Sequence, residues 1–388
     1  MKHAILSRCT QGAFRYQAWP TVTKTEEGIL LVGTSGHRLD HICPFGKDLM
    51  YESRDEGETW SAPQIINDTY LDDRDAGMLA WGKGKLLLTW FNHAPEKFKD
   101  WDPLADTRPH YAVANPLSLG MRALWDTLPK EAIPSGSFTK ISYDNGKTWS
   151  APRQAPVTSP HGPCLLADGS LFWVGNLNRS MENPKNPSCP SEQAEKKSGA
   201  VQDMDGGSTA GGNRIFAYRS TDDGESWTRL SHVPCPEGAE GYCCEPNATL
   251  LHDGTILAAV RYHCGAGHGN RKMYTVKSSD GGKTWGEAKF LDVWGAPPHV
   301  LQHSSGAVVL VYGKRRDEMG QYAIVSTDGG CTWSEEKRIS PIAPDWDQGY
   351  PSSVELSGGD IFTVYYQKCP GDSFNSLHSV RWNLRELL

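Results

Sequence analysis

The chain writes one short phrase five times, and that repetition limits its possible folds more than any other feature. It reads "SRDEGETWSAP" from Ser53, "SYDNGKTWSAP" from Ser142, "STDDGESWTRL" from Ser220, "SSDGGKTWGEA" from Ser278 and "STDGGCTWSEE" from Ser326. The shared skeleton is Ser-x-Asp-x-Gly-x-(Thr/Ser)-Trp. Aspartate bonds nearby backbone amides, glycine takes a positive φ, and tryptophan packs back as an apolar anchor, so the phrase is a turn. Strand-like runs flank it, such as "RIFAYRS" and "QYAIVS" before and "SAPQII" after, so each turn joins two antiparallel strands.

A second repeat lies upstream of most of these hairpins. Two further strand signals meet at a Gly-rich turn in "PTVTKTEEGILLVG", "GMLAWGKGKLLLTW", "GPCLLADGSLFWVG", "ATLLHDGTILAAV", "HVLQHSSGAVVLVY" and "SSVELSGGDIFTVYY". Six units of about four strands predict an all-β chain, one six-bladed β-propeller domain over residues 1–388. The last unit has no box and is one strand short after "LHSVRWNL". The N-terminal "HAILSR" is expected to supply that strand and close the ring, which protects a sheet edge. Insertions at 94–138 and 181–212 are expected between second and third strands, the first holding a short helix in "PLSLGMRALWDTLPKEAI". Both would rim the mouth opposite the boxes.

Composition narrows the partners. A net charge of -7 with no basic tract argues against nucleic acid, and no apolar run approaches the roughly 20 residues of a membrane span. The ten cysteines include no CxxC pair, and adjacent Cys243-Cys244 make a poor metal clamp. They read as small buried hydrophobes, and no metal is expected. "MKHAILSRCTQG" is too short in apolar residues for a signal peptide, so the expected compartment is the cytoplasm, unless a leader was trimmed.

The start of strand one and the end of strand two in each blade open on the mouth. Strand-one starts hold Trp19, Arg74-Asp75, His161-Gly162, Glu245, His299 and Tyr350. Strand-two ends hold Arg38, Asn92-His93, Asn178-Arg179, Arg261, Arg315-Arg316 and Tyr366-Gln367. Arginines from several blades would converge in an acidic chain, and their planar donor forks suit a carboxylate.

On these residues the chain resembles the sialidase superfamily, with the boxes covering most of its length. The resemblance implies that Tyr350, opening "YPSSVELSGGDIFTVYY", is a nucleophile activated by Glu245. It implies that Arg261 and Arg316 hold a substrate carboxylate, with His161-Gly162 at the third blade's mouth. A tyrosine suits a sugar whose anomeric carbon bears a carboxylate. An acidic nucleophile would meet repulsion of about 4 kcal/mol at ~4 Å in an effective dielectric of ~20. Where the family carries Arg-Ile-Pro, this chain has Ala18-Trp19-Pro20. Arg15 or Arg38 would stand in, with Arg74 also at the mouth. Asp40 is the expected acid/base and Asp75 the second choice, ahead of Asp48 and Asp73.

The resulting expectation is an exo-glycosidase releasing terminal sialic acid or a related acidic ulosonic sugar from glycoconjugates. Two carboxyl groups and a tyrosine cover the proton transfers, so no cofactor is expected. A glycosidase or lyase for another uronic or ulosonic sugar is the second reading, and a non-catalytic carbohydrate-binding propeller the third.

Overall fold

The computed structural model describes residues 1–98, 111–177, 214–239, 241–263 and 271–387. These residues form six small antiparallel sheets arranged as a six-bladed propeller. From the inner edge outward, blade one holds Tyr16–Lys24, Leu30–Arg38, Lys47–Ser53 and Gln64–Asn67. Blade two holds Asp72–Trp81, Lys85–His93, Gly136–Ser142 and Arg153–Gln154. In blade three the inner strand is split into Val157–Thr158 and Cys164–Leu165, followed by Leu171–Leu177, Ile215–Ser220 and Thr228–His232. Blade four holds Tyr242–Leu250, Ile256–His263, Arg271–Ser278 and Lys289–Trp294. Blade five holds Pro298–Gln302, Val308–Lys314, Gly320–Ser326 and Lys337–Arg338. Blade six holds Gly349–Glu355, Ile361–Lys368, Asn375–Trp382 and, as its outer strand, Lys2–Ser7.

The N-terminal strand therefore closes the ring, pairing Lys2 with Arg381 and Ile5 with His378. This also explains the missing sixth box. The hairpin that a box would build is where the two ends of the chain meet.

Each box is both a turn and a seam. In the second, Ser142 Oγ accepts from Gly146 N and donates to Asp144 Oδ1, both at 2.8 Å. Asp144 accepts from Thr148 N at 2.9 Å and from its hydroxyl at 2.7 Å. Box glycines sit at positive φ, +87° at Gly57 and +82° at Gly146. They also press on the preceding blade: a Cβ at Gly57 would strike Phe362 of blade six, and one at Gly146 would strike Met50 of blade one. Glycine is thus required twice over, for conformation and for close approach.

Inner strands splay around the axis and cannot pair with one another, so side chains of one blade accept backbone N–H groups of the next. Val22 N donates to Ser352 Oγ (3.1 Å), Ala80 N to Thr23 Oγ1 (2.9 Å), Glu245 N to Asn176 Oδ1 (3.1 Å) and Val300 N to Asn247 Oδ1 (2.9 Å). The first insertion does lie between second and third strands, and its helix spans Tyr111–Trp125. That is five residues earlier than "PLSLGMRALW" suggests, with Pro116 inside the helix. The insertion at 181–212 lies outside the described residues.

Candidate active site

The mouth is built on a recurring defect of the inner strands. In four blades, two residues of strand one oppose a single residue of strand two. Trp19-Pro20 face Thr34, Asp75-Ala76 face Trp90, Glu245-Pro246 face Val260, and Tyr350-Pro351 face Tyr365. The first residue of each bulge has a positive φ: +54° at Trp19, +56° at Asp75, +46° at Glu245 and +51° at Tyr350. Non-glycine residues adopt this conformation at a cost of about 1 kcal/mol or more, and such strain collects at functional sites. Proline follows in three of the four bulges, where its missing N–H leaves no donor unpaired. In blade three, Gly162 at φ +73° precedes Pro163 in the break of the inner strand.

Two bulges meet directly. The Tyr350 hydroxyl donates to Glu245 Oε1 at 2.7 Å, and Glu245 Oε2 accepts from Arg261 Nη1 at 2.5 Å. A phenol, a carboxylate and a buried guanidinium from blades six and four thus form one chain. Tyr350 packs edge-on against Trp19, with ring centroids 6.4 Å apart, and at a tilt of 42° against Tyr366 at 6.1 Å. The Arg315 guanidinium lies 5.9 Å from the Tyr350 ring, donates to Gln348 O (3.0 Å), and reaches Tyr366 Oη (3.3 Å).

Arg315 occupies the place expected of Arg316. Arg316 turns outward with half its side chain exposed, pairs with Asp317 at 3.7 Å and stacks on Trp294. Blade five's second strand ends at Lys314, so strand alternation no longer decides which of the two neighbours faces inward.

Arg38 also departs from expectation. It is fully buried and its donors are engaged by Asp72 Oδ1 (2.5 Å), Ser35 Oγ (3.0 Å) and the carbonyls of Asp40, His41 and Asp73. Arg74 is buried too, donating to His41 O at 3.2 Å and lying 4.1 Å from the Trp19 ring. These two arginines build the loop that carries Asp40 and His41 rather than lining an open pocket. Arg15 lies over Phe374 and donates to Thr10 O. Trp19 fills the region between the two buried guanidinium groups and the rings of Tyr350 and Tyr366.

Of the two candidate acids, Asp40 is half-buried and its Oδ1 accepts from His41 N at 2.7 Å. Asp75 is buried at its bulge, in the place that Glu245 and Tyr350 take in theirs. His161 lies deeper, at an axial cavity of about 300 Å³ shared with Thr21, Asn247, His299 and Ser353. Its Nδ1 is 3.1 Å from Thr21 Oγ1, and its ring stands perpendicular to that of His299 at 5.1 Å. Burial, then His299, pushes its pKa well below the usual histidine value, so it offers a neutral imidazole, not a cation.

A network that the residue pattern did not reveal supports the mouth from the side. Asp347, buried, accepts from Tyr16 Oη (3.0 Å), Tyr366 Oη (3.2 Å) and Asn375 Nδ2 (2.8 Å), and meets His41 Nδ1 at 3.0 Å. Burial works to raise its pKa, but His41, Arg315 and Tyr16 outweigh burial and bring it down to about 2. The signal was present in "DWDQGYP", a tryptophan and two carboxylates just before Tyr350. Its partners, however, lie up to 331 positions away. Among the described residues no cluster of three or more His, Cys, Asp or Glu side chains has metal-binding geometry.

The family model described as a BNR repeat-like domain matches residues 129–363. None of the curated proteins matches. Among solved structures, a protein of unknown function from Dyadobacter fermentans aligns with a TM-score of 0.71 at 19% identity, covering 99% of this chain and 98% of that one. The NanB sialidase from Streptococcus pneumoniae aligns at 0.63 and 13% identity, over 99% of this chain and 71% of that one. The intramolecular trans-sialidase from Ruminococcus gnavus aligns at 0.60 and 14%, over 97% and 96%. At these identities the likeness shows the shared propeller.

Proposed function

The chain belongs to the BNR repeat-like domain family, and from that premise we propose that it is a glycoside hydrolase removing a terminal acidic sugar, sialic acid or a close ulosonic relative. The observation that carries this reading is the hydrogen-bonded chain Tyr350–Glu245–Arg261, presented at the mouth by two strained bulges. A merely structural tyrosine needs no carboxylate clamped by an arginine, whereas a nucleophilic phenol needs a base in place. The sialidases among the structural neighbours add support.

In this mechanism Glu245 takes the Tyr350 proton as the phenolic oxygen attacks the anomeric carbon. Arg261 holds the glutamate in the geometry that allows this. Arg315, with Arg261, receives the substrate carboxylate. Asp40 protonates the departing oxygen, with Asp75 as the alternative. Water then attacks the anomeric carbon and gives its proton to the ionised Asp40, the bond to Tyr350 breaks, and the phenolate recovers its proton from Glu245.

Ala18 and Trp19, standing where the sialidase superfamily has an arginine, favour a second reading with the same machinery: an acidic sugar other than sialic acid. A fluorogenic sialoside assay on the wild type and on Tyr350→Phe tests the proposal. Release by the wild type and its loss in the variant are expected. Release that survives Tyr350→Phe rejects the nucleophile. A folded wild type that releases nothing shifts the substrate to other uronic or ulosonic glycosides, where a product absorbing in the ultraviolet would mark a lyase.

A further inference from the structure

His41 stands between the proposed acid and the segment that leads into the proposed nucleophile. Its backbone N–H donates to Asp40 Oδ1 at 2.7 Å. Its carbonyl accepts from Arg38 Nη2 (3.0 Å) and Arg74 Nη1 (3.2 Å), which pins the backbone beneath that bond. Its ring reaches the approach to blade six, where Nδ1 lies 3.0 Å from Asp347 Oδ1 and 2.9 Å from Tyr16 Oη. Asp347 precedes Tyr350 by three positions, on the chain that enters the strained bulge.

The hydrogens of this trio have one consistent arrangement. The Tyr16 hydroxyl donates to Asp347, whose two oxygens lie at 3.1 and 3.0 Å. Its lone pair is then an acceptor, as is the carboxylate, so the hydrogen that meets them belongs to His41 Nδ1. Two acceptors thus fix the imidazole, and Trp19 meets it edge-on at 5.1 Å. A buried carboxylate that holds Nδ1–H sets the orientation of a histidine. Asp40 and Tyr350 are therefore joined by a short route through His41 and Asp347. Proton donation to a departing oxygen needs such a fixed spacing, because a misplacement of about 1 Å can cost on the order of 100-fold.

Resting on the reaction proposed above, we infer that His41 is a positioning residue for the leaving-group proton: tethered to Asp347, it holds the Asp40 carboxyl at a set distance from Tyr350. The test varies the leaving group, since a phenol-like group departs with little protonation and an alkoxide does not. Wild type, His41→Ala, His41→Asn and Asp40→Asn are compared on the methylumbelliferyl and methyl glycosides of the acidic sugar that the wild type cleaves, sialic acid first. For the methyl glycoside, His41→Ala is expected to lower kcat/KM at least about tenfold, and for the aryl glycoside less than about threefold. Asp40→Asn should show the same bias more strongly. His41→Asn, whose amide can donate from near the place of Nδ1, should recover most of the loss. A merely structural role would depress both substrates alike. Tyr16→Phe keeps the ring and removes one of the two acceptors. The same bias at about threefold is expected there, and it decides the matter should His41→Ala not fold in a thermal melt.

Equal losses on both glycosides, no loss in a folded His41→Ala, or an Asp40→Asn variant without the bias overturns the positioning role and leaves the proposed nucleophile standing. A folded wild type that cleaves no glycoside of sialic acid or of the other acidic sugars overturns the reaction and the role of His41 with it.

Discussion

Tyr350 and Glu245 stand 105 positions apart in the chain, yet the phenol of one donates a 2.7 Å hydrogen bond to the carboxylate of the other. Glu245→Gln keeps the size and the contact to Arg261 but cannot accept a proton. We expect kcat to fall by at least about 100-fold, within the usual range for a lost general base. Steady-state kinetics beside a thermal melt check this, and a variant with wild-type kcat would remove Glu245 from the proton transfer.

The two neighbouring arginines of blade five should part company. Arg315→Ala removes a charge-assisted contact beside Tyr350 and is expected to raise KM at least tenfold, about 1.4 kcal/mol. Arg316→Ala changes an exposed side chain on Trp294 and should stay within about twofold. The reverse ranking would reassign the carboxylate contact to Arg316.

Stability should fall as pH rises from the acid range towards neutrality. Burial first, with Asp72 adding to it, pushes the Asp73 carboxyl up to about 7 despite its bonds from Thr69. A raised carboxyl favours the folded state most below its unfolded value of about 3.9, and that advantage is lost as pH climbs through about 7. Asp347 acts the other way: its contribution is present above about 3.9 and lost as pH falls towards about 2. Urea midpoints should therefore drop between about pH 5 and 7 and level off above that, and Asp73→Asn should flatten that drop. An unchanged slope in the variant would mean Asp73 is not the group responsible.

A box should govern stability without touching turnover. Ser142→Ala leaves the Gly146 N–H without its buried acceptor and should cost about 1–2 kcal/mol. Asp144→Ala should shift stability in the same direction. Neither variant should alter kcat/KM, because both lie on the face opposite Tyr350. A specific kinetic defect in Ser142→Ala, with stability intact, would contradict that placement.

The boxes made the blade count legible because every letter of the phrase has a local backbone task, and local tasks survive in a linear string. Glu245, Arg261 and Tyr350 could be placed at the mouth for a related reason: counting strands between those marks locates the starts of strand one and the ends of strand two. The bulges beneath them were not legible, since a two-for-one mismatch has no period. Proline after Trp19, Gly162, Glu245 and Tyr350 was the available trace of it. Arg38 could be placed at a strand end, but its capture by Asp72 depends on a neighbouring blade. Asp347 gathers Tyr16 and His41 from the first blade, and nothing in the local sequence of either announces that meeting.

The ring closes through Lys2–Ser7 on Asn375–Trp382, in the same blade that presents Tyr350. During synthesis, therefore, the proposed nucleophile is the last member of its trio to leave the ribosome, and its blade lacks a full sheet until the earliest strand returns to it. Five finished blades would still be an open arc without the proposed nucleophile. The proposed activity would then wait on one long-range pairing, that of Lys2–Ser7 with Asn375–Trp382.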